Sequence, residues 1–505
     1  MKHNRLLPAW CALAAPALLI AAFPKFNLTW CAWIALVPWL LALRGRSALA
    51  WFWWSYLIGV LFFIGSIWWL IHVTLPGWLL LCAYLGLYFG LFGLIVRRLT
   101  ASKLPPLLVH PMMAAGWVAL EYIRSHLLSG FGWNLLAYTQ TSRVPLIQMA
   151  ELTGAWGVSF MIVWVNAAIA EFVIAGRKNR GAAASLAAAV GCVIAAGAYG
   201  LWRLPQIPDA PTVRIAVVQG SIPQDEKWEG ENRGKILDRY EALTRTALET
   251  KPQLIIWPET STPGYFGLDE EITQRVTKLI RSVKVPMLVG APIGVLHGVA
   301  WHSFNSAVLL APSGEMVQRY DKLHLVPFGE MIPMEDRWPW LRDLMPAIGQ
   351  FLPGTEPTVF RAMPLPPFSV LICFEDVFPD LARQFVREGA RLLVVITNDA
   401  WFGPSAAAYQ HAQTSAFRAV ELRVPVVRAA NTGWSGCIDA AGRVVGRVAD
   451  AQGTELFVPG TRTCEMAVSQ SESVYLKFGD WLPILCVLLT AGWALQRFLN
   501  LRSRN

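Results

Sequence analysis

Three polar residues lie at the ends of strand-like runs or just beyond them. Glu259 closes "LIIWPE", Lys322 follows "EMVQRY", and Cys373 closes "FSVLIC". In α/β sheets, sites assemble in the loops at the carboxyl ends of strands. A glutamate can take the proton of a thiol, and a protonated lysine can stabilise a tetrahedral oxyanion. The three residues are therefore candidates for nucleophilic acyl chemistry, although their spacing leaves open a structural salt bridge and a buried cysteine.

The composition indicates membrane spans joined to a water-soluble part. Of 505 residues, 55% are hydrophobic and only 15% are charged, whereas about a quarter of a typical soluble domain is charged. Many of the 24 tryptophans lie at the ends of apolar runs, where a membrane interface favours them. The net charge is +9, but the polar part of the sequence has no stretch in which basic residues are interleaved with aromatic residues. The sequence thus predicts a membrane protein without a nucleic-acid partner.

Eight apolar runs approach the ~20 residues that a spanning helix needs. We expect spans at 7–23, 28–43, 48–72, 77–96, 107–128, 152–175, 183–202 and 479–498. Within the fifth run, Glu121 and Arg124 lie three positions apart, which predicts a structural pair or a contact with a lipid head group.

The basic residues orient these spans. If the N-terminus is cytoplasmic, the short outer loops hold only Lys25 and Arg143. The cytoplasmic segments then hold Lys2, Arg5, Arg44, Arg46, Arg97, Arg98, Lys103, Arg177, Lys178, Arg180, Arg497, Arg502 and Arg504. Such asymmetry predicts a multi-pass protein of a plasma membrane with both termini cytoplasmic and the long polar segment outside.

The polar segment alternates strand-like and helix-like runs, which predicts an α/β fold with helices packed on sheets. Strands are expected at 213–220, 253–259, 285–293, 304–310, 368–373, 391–398 and 424–431, and helices at 229–249, 269–283, 376–389 and 405–423.

The predicted domain organisation has three parts. Residues 1–202 form a seven-helix transmembrane domain, 203–475 a catalytic domain, and 476–505 the eighth span and a cytoplasmic tail. The long apolar insert at 323–357 is expected to lie at the membrane surface. Packing over the core of the domain is the alternative for this insert.

The cysteines and histidines indicate no metal site. The sequence has no CxxC pair and no Cys/His cluster with zinc spacing, so neither a metal nor another cofactor is predicted. Cys437 and Cys464 share the polar segment with Cys373, an odd number without an evident disulfide framework, and both are interpreted as unpaired structural residues. His324 and His411 could act as bases, but packed histidines are the favoured interpretation.

The segments "LIIWPET", "YDKLHLVPFGE" and "LICFED" resemble the Glu–Lys–Cys motifs of the nitrilase, or carbon–nitrogen hydrolase, superfamily. "VRIAVVQGSIPQ" and "ITNDAWFG" resemble it too, and the whole layout resembles the bacterial apolipoprotein N-acyltransferase family. The resemblance implies a nitrilase-like αββα sandwich beside the multi-span helical domain. It also implies that Glu259 is general base and acid, Lys322 the oxyanion stabiliser and Cys373 the nucleophile.

Three further positions match the resemblance, and one departs from it. Glu330 would orient the lysine, Glu375 would support the site, and Trp228 would be an aromatic near it. A surface role for Trp228 and a helix-capping role for Glu375 are the alternatives. Phe374 stands where some members have Tyr; its N–H can still serve an oxyanion hole, but a tyrosine hydroxyl is lacking.

The resemblance implies the last step of lipoprotein maturation. An acyl chain would pass from a phospholipid donor, through a thioester on Cys373, to the α-amino group of diacylglyceryl-modified apolipoproteins, and the enzyme would be a monomer in the bacterial inner membrane with a periplasmic catalytic domain. A membrane-tethered amidase or nitrilase is the alternative. A transporter is disfavoured because the spans hold few charges, and an HxxxxD acyltransferase is excluded because no His has an Asp five positions later.

Overall fold

The computed structural model describes residues 7–176, 178–206, 210–297, 300–327, 329–332, 337, 351–468 and 472–502. The chain separates into two compact units. One unit comprises Met1–Gln206 with Ser473–Asn505, and the other comprises Ile207–Glu472.

The first unit is helical. Among the described residues, four helices are long and apolar enough to cross a membrane: Ala48–Ser66, Leu75–Thr100, Ala155–Ala175 and Arg180–Gln206. The other α-helices of this unit are Ala14–Ala22, Val37–Ala42, Pro106–His126, Val144–Ile147, Ala150–Thr153, Val474–Phe478 and Trp481–Arg502.

The first two expected spans form shorter helices than the runs indicated. Ala9–Ala22 and Thr29–Ala42 each have 10 to 17 residues, and at 1.5 Å per residue such a helix falls short of a ~30 Å hydrocarbon core. Both begin with a 3-10 segment, and the chain between them turns through Asn27, whose φ is 56°. Counting apolar residues along the sequence does not reveal these 3-10 segments and turns, which shorten the helices.

Small residues bring two of the long helices together. A Cβ at Gly59 would lie 2.7 Å from Phe89, and one at Gly93 would lie 2.2 Å from Ser55. The glycines therefore permit the close approach of Ala48–Ser66 and Leu75–Thr100, as small residues do between membrane helices.

The second unit is built from two sheets. A six-stranded sheet has the order β11-β1-β2-β3-β4-β5, and a five-stranded sheet has the order β10-β9-β8-β7-β6. The strands are β1 Thr212–Gln219, β2 Leu254–Ile256, β3 Met287–His297, β4 Ala300–Leu310, β5 Met316–Asp321, β6 Phe368–Ile372, β7 Leu392–Thr397, β8 Val426–Ala430, β9 Gly436–Ile438, β10 Val444–Arg447 and β11 Gly460–Ala467.

Helices cover the outer faces of both sheets. Arg233–Leu248 and Glu270–Val283 share a buried core with the six-stranded sheet, while Pro379–Arg387 and Ala407–Leu422 pack on the five-stranded sheet. The sheets contact each other through β1 and β8. This order of layers confirms the predicted αββα sandwich.

Strand burial explains which strands the sequence revealed. Every residue of β6, β7 and β8 is buried, and strands covered on both faces read as continuous apolar runs. β9, β10 and β11 were not predicted from the sequence. β9 has only three residues, "GCI", and β11 carries alternating polar residues in "GTRTCEMA".

The interpretation of Cys437 and Cys464 as unpaired was wrong, because they form a disulfide. Cys437 lies on β9 and Cys464 on β11, so the bond joins the two sheets. Sequence spacing could not reveal the pair, since it is the sandwich that brings these strands together.

Candidate active site

Cys373 follows β6 directly and opens the 3-10 turn Cys373–Val377. Its φ of 55° lies in the left-handed region, which a residue with a Cβ occupies at a cost unless its surroundings hold it there. The backbone N–H of Ile372, just before the turn, donates to Glu375 Oε2 at 2.7 Å. The strand end and the turn therefore fix the nucleophile candidate at the edge of the five-stranded sheet.

Glu259 follows β2 on the six-stranded sheet and is only 5% exposed. Its Oε1 accepts from Asn305 Nδ2 at 2.7 Å and lies 3.5 Å from Lys322 Nζ. Its Oε2 accepts the backbone N–H of Asn398 at 2.8 Å. Because partners from both sheets hold it, the carboxylate has a fixed position between them.

Lys322 follows β5 and is buried. Its Nζ lies 2.8 Å from Glu330 Oε2 and 3.5 Å from Glu259 Oε1. Burial lowers the pKa of Lys322, but the carboxylates of Glu330 and Glu259 raise it by more, so its pKa lies above the ordinary value. The side chain is therefore an ammonium that can stabilise negative charge.

The Glu259 carboxylate and the Lys322 ammonium both act on the pKa of the Cys373 thiol. Burial raises its pKa, the Glu259 carboxylate raises it further, and the Lys322 ammonium opposes them; the pKa ends above the ordinary value. The resting thiol is thus protonated and needs a base to become a nucleophile. Glu259 is the carboxylate with the largest effect on it. The structure therefore brings the three predicted residues together, and their roles remain predictions.

Glu330 and Glu375 hold the lysine-bearing loop from two sides. Glu330 accepts from Asn305 Nδ2 at 2.8 Å and from the Val326 N–H at 2.8 Å, besides binding the lysine. Glu375 is fully buried and accepts from Tyr320 Oη and the Leu323 N–H. Burial raises the Glu375 pKa to about 7 against these hydrogen bonds. Glu375 therefore ties the nucleophile turn to the lysine loop, in addition to capping the turn.

Phe374 follows Cys373 directly in the chain, and Trp228 follows Lys227, whose ammonium donates to the Glu259 carbonyl. The Phe374 ring packs edge-on against Phe378 with centroids 5.0 Å apart. Trp228 is 47% exposed, and Lys227 Nζ lies 5.9 Å from the centroid of its ring. The exposure of Trp228 leaves both its surface interpretation and its substrate-binding interpretation open.

Several residues around the site were missed by sequence reasoning. Lys227 is buried and donates to the Glu259 carbonyl at 3.2 Å and to Thr260 Oγ1 at 2.6 Å; burial lowers its pKa to about 7. Asn305 bridges Glu259 and Glu330 from the middle of β4. Their only signal was a polar side chain inside an apolar run, as in "SFNSAVLL", or beside a candidate residue, as in "EKWE".

One prediction falls partly outside the described residues. Most of the insert at 323–357 lies outside the described residues, so its position at the membrane stays a prediction. Among the described residues, no group of three His, Cys, Asp or Glu side chains could hold a metal ion.

Comparison with known proteins identifies relatives of both units. Residues 15–168 match the apolipoprotein N-acyltransferase N-terminal domain, and residues 214–460 match the carbon–nitrogen hydrolase domain. An apolipoprotein N-acyltransferase from Geobacter metallireducens is 36% identical, covering 98% of this chain and 95% of its own. One from Chlorobaculum tepidum is 30% identical, with 97% of each chain covered.

Solved structures align with about half of the chain. An amidase from Nesterenkonia sp. AN1 covers 53% of this chain and 96% of its own, at 20% identity and a TM-score of 0.37. Nit3 from Saccharomyces cerevisiae, a member of the nitrilase superfamily, covers 51% and 90%, at 19% identity and a TM-score of 0.38. With both domain matches and a relative 36% identical along nearly its whole length, the chain belongs to the apolipoprotein N-acyltransferase family.

Proposed function

We propose that this chain moves a fatty acyl chain from a phospholipid to the α-amino group of the N-terminal diacylglyceryl-cysteine of apolipoproteins. Membership of the family supports the reaction class. The observation that carries the assignment of residues is the buried site in which Glu259 and Lys322, 3.5 Å apart, both act on the Cys373 thiol.

In the first half-reaction, Glu259 takes the proton of Cys373 as the sulfur attacks the ester carbonyl carbon of the phospholipid. The oxyanion is stabilised by the Lys322 ammonium and by the backbone N–H of Phe374. When the intermediate collapses, the ester C–O bond breaks and Glu259 gives its proton to the leaving alkoxide. The products are a lysophospholipid and an acyl thioester on the cysteine.

In the second half-reaction, the α-amino group of the lipid-modified cysteine attacks the thioester carbon, and Glu259 takes a proton from the amine. The C–S bond then breaks, and Glu259 returns that proton to the sulfur. The raised thiol pKa fits a mechanism in which the base acts during attack, because a thiolate is not stored at rest. The net change converts an ester and an amine into an amide and an alcohol.

The supporting residues have roles outside the bond changes. Glu330 holds Lys322 in place and keeps it charged, and Glu375 aligns the loops of Lys322 and Cys373. Trp228 offers an exposed aromatic face for an acyl chain or a lipid backbone. Phe374 contributes its backbone N–H to the oxyanion site, and no step of the proposed reaction uses a tyrosine hydroxyl.

We infer a periplasmic catalytic domain at 203–475, carried in the bacterial inner membrane by spans within 1–202 and 476–505, with both termini cytoplasmic. Besides the distribution of Lys and Arg, the disulfide between Cys437 and Cys464 supports this side of the membrane, because disulfides persist in the oxidising periplasm. We propose a monomer, since one chain holds every group that the reaction uses.

An acyl-trapping assay tests the proposal. The detergent-solubilised chain is incubated with phospholipid carrying a labelled acyl chain and no acceptor, next to Cys373→Ser and Glu259→Gln. Label on the unaltered protein that neutral hydroxylamine removes, and that both variants lack, is the expected result. Addition of a diacylglyceryl peptide should then move the label to its amino group.

The same assay distinguishes the alternative function. Steady release of ammonia from test amides, with no label retained from phospholipid, would instead assign the chain to the membrane-tethered amidases.

A further inference from the structure

A second buried group of charges lies behind the nucleophile turn. This back cluster consists of Asp376, Asp399, His411 and Arg428, each at most 2% exposed. Asp376 belongs to the turn itself, Asp399 follows β7, and His411 and Arg428 lie on the helix Ala407–Leu422 and on β8. All four residues are carried by the five-stranded sheet and its covering helix.

His411 stands between the two carboxylates. Its Nε2 lies 2.9 Å from Asp376 Oδ1, and its Nδ1 lies 3.0 Å from Asp399 Oδ1. Burial and the guanidinium of Arg428, 2.6 Å from Nδ1, lower the His411 pKa. The two carboxylates outweigh them, so the pKa is raised. Nδ1 faces an Arg428 nitrogen, which can only donate, whereas both oxygens beside Nε2, from the Asp376 carboxylate and the Cys373 carbonyl, can only accept. Nε2 therefore carries a proton and is a donor.

The same Nε2 lies 3.1 Å from the carbonyl oxygen of Cys373. That carbonyl and the N–H of Phe374 belong to one peptide group. A donor on the carbonyl oxygen pulls electron density from the peptide, which makes its N–H a stronger donor. It also holds the orientation of a peptide that leaves Cys373 at a φ of 55°.

We propose that His411 is a positioning residue for acyl transfer, which fixes and polarises the Cys373–Phe374 peptide whose N–H binds the oxyanion. This inference rests on the proposed function, because only a reaction with an oxyanion uses that N–H. It gives His411, which was interpreted from the sequence as a packed histidine, a role in the reaction.

The contacts do not fit His411 as the base that activates the thiol. Both ring nitrogens are engaged by Asp376 and Asp399, and the contact with Cys373 is made to its carbonyl oxygen. The charges that act on the thiol come from Glu259, Lys322 and Asp399. His411 therefore acts on the reaction through the backbone of the nucleophile.

Two neutral variants of matched chemistry separate this role from a structural one. In His411→Gln the amide nitrogen stands near the position of Nε2 and can still donate to the Cys373 carbonyl. In His411→Asn the shorter amide reaches only the position of Nδ1. Both variants replace the imidazole ring by a neutral amide, so they differ in the donor under test.

Three quantities are measured on the full chain in detergent: thioester formation from labelled phospholipid in a single turnover, alkylation of Cys373 by iodoacetamide, and the melting temperature. Alkylation displaces iodide and forms no oxyanion, so it reports the thiol and its base alone. We expect His411→Asn to slow thioester formation on the order of 10- to 100-fold, below the 10²–10³ for a donor lost outright. Alkylation should stay within about twofold.

His411→Gln should recover most of the thioester rate at the same melting temperature as His411→Asn. Equal thioester rates in the two variants, or alkylation that falls in step with thioester formation, would overturn the inference while leaving the proposed function intact. A wild-type chain that forms no thioester would instead remove the proposed function, and the inference with it.

Discussion

Two buried clusters of the α/β unit each pair a cation with two carboxylates, but their surroundings differ. The front cluster, Glu259, Lys322, Glu330 and Asn305, places one ammonium between two carboxylates. The back cluster places one guanidinium beside two carboxylates and adds a histidine. The front cluster is carried by the six-stranded sheet and the loop after β5, the back cluster by the five-stranded sheet, and Cys373 lies between them.

The two clusters differ in the exposure of their side chains, and this difference distinguishes a chemical role from a supporting one. In the front cluster the Glu330 side chain is 13% exposed, whereas the side chains paired in the back cluster are at most 1% exposed. The front cation is a lysine, whose ammonium is a compact charge on a flexible stem; the back cation is an arginine, whose planar fork binds in fixed directions. The comparison indicates that the front cluster responds to charge formed in the reaction, while the back cluster holds the turn.

The largest effect on stability is expected from the back cluster. Asp376→Asn leaves Arg428 and His411 without one of their two carboxylates, and breaking a buried ionic group costs about 3–5 kcal/mol. Urea unfolding of the detergent-solubilised chain measures the change. Asp380→Asn, in the same segment but exposed, should stay within about 0.5 kcal/mol.

The effect of Asp376→Asn should depend on pH in a defined direction. Burial raises the pKa of Asp376, but His411 and Arg428 lower it by more, to about 2 from an ordinary 3.8. A lowered pKa stabilises the fold above the unfolded pKa, and this contribution is lost as the pH falls from about 4 towards 2. The stability of Asp376→Asn should approach that of the unaltered chain in this window; a constant difference would contradict the pairing.

The disulfide holds together the sheets that carry the two clusters. Replacing Cys437 and Cys464 by Ala opens a loop of 27 residues, which is worth about 3–4 kcal/mol by chain entropy. Dithiothreitol should lower the stability of the unaltered chain to that of the double variant, and it should leave the stability of the double variant unchanged. Cys192→Ala, in the helical unit, is the control. Equal stability with and without reductant would show that packing alone joins the sheets.

Lys322→Met tests the front cluster where it should differ from the back. Loss of one oxyanion donor costs about 10²–10³ in rate, or roughly 2.7–4 kcal/mol, and single-turnover thioester formation measures it. If Asp376→Asn lowered the thioester rate as much at a temperature where it is fully folded, the division between a chemical and a supporting cluster would fail.

The front cluster was largely predictable from sequence and the back cluster was not. Glu259 and Cys373 close apolar, β-prone runs and Lys322 follows the strand-like "EMVQRY", so strand ends and the family resemblance both indicated them. Asp376 and Arg428 are 52 positions apart and meet through the packing of a turn, a helix and a strand. Polar residues on the helix Ala407–Leu422, all buried, carry no periodic signal, because the helix has no exposed face.

As with the clusters, some strands of the two sheets were predictable from the sequence and others were not. Strands buried on both faces were predicted from their apolar runs. β9 and β11, which carry the disulfide, were missed because one is short and the other alternates polar and apolar residues. In both cases, the sequence does not show which residues the other sheet places next to a given strand or side chain.

The smallest effect is expected at Trp228, beside the front cluster. Trp228 and Trp301 on β4 are each 47% exposed, so the two form a matched pair for aromatic truncation. If Trp228 covers part of a bound acyl chain, Trp228→Ala loses about 1 kcal/mol of apolar contact. The KM for phospholipid should then rise about fivefold with kcat nearly unchanged, while Trp301→Ala changes less. A fall in kcat at constant KM would place the ring in the bond-changing step, and the front cluster would then extend to this side chain.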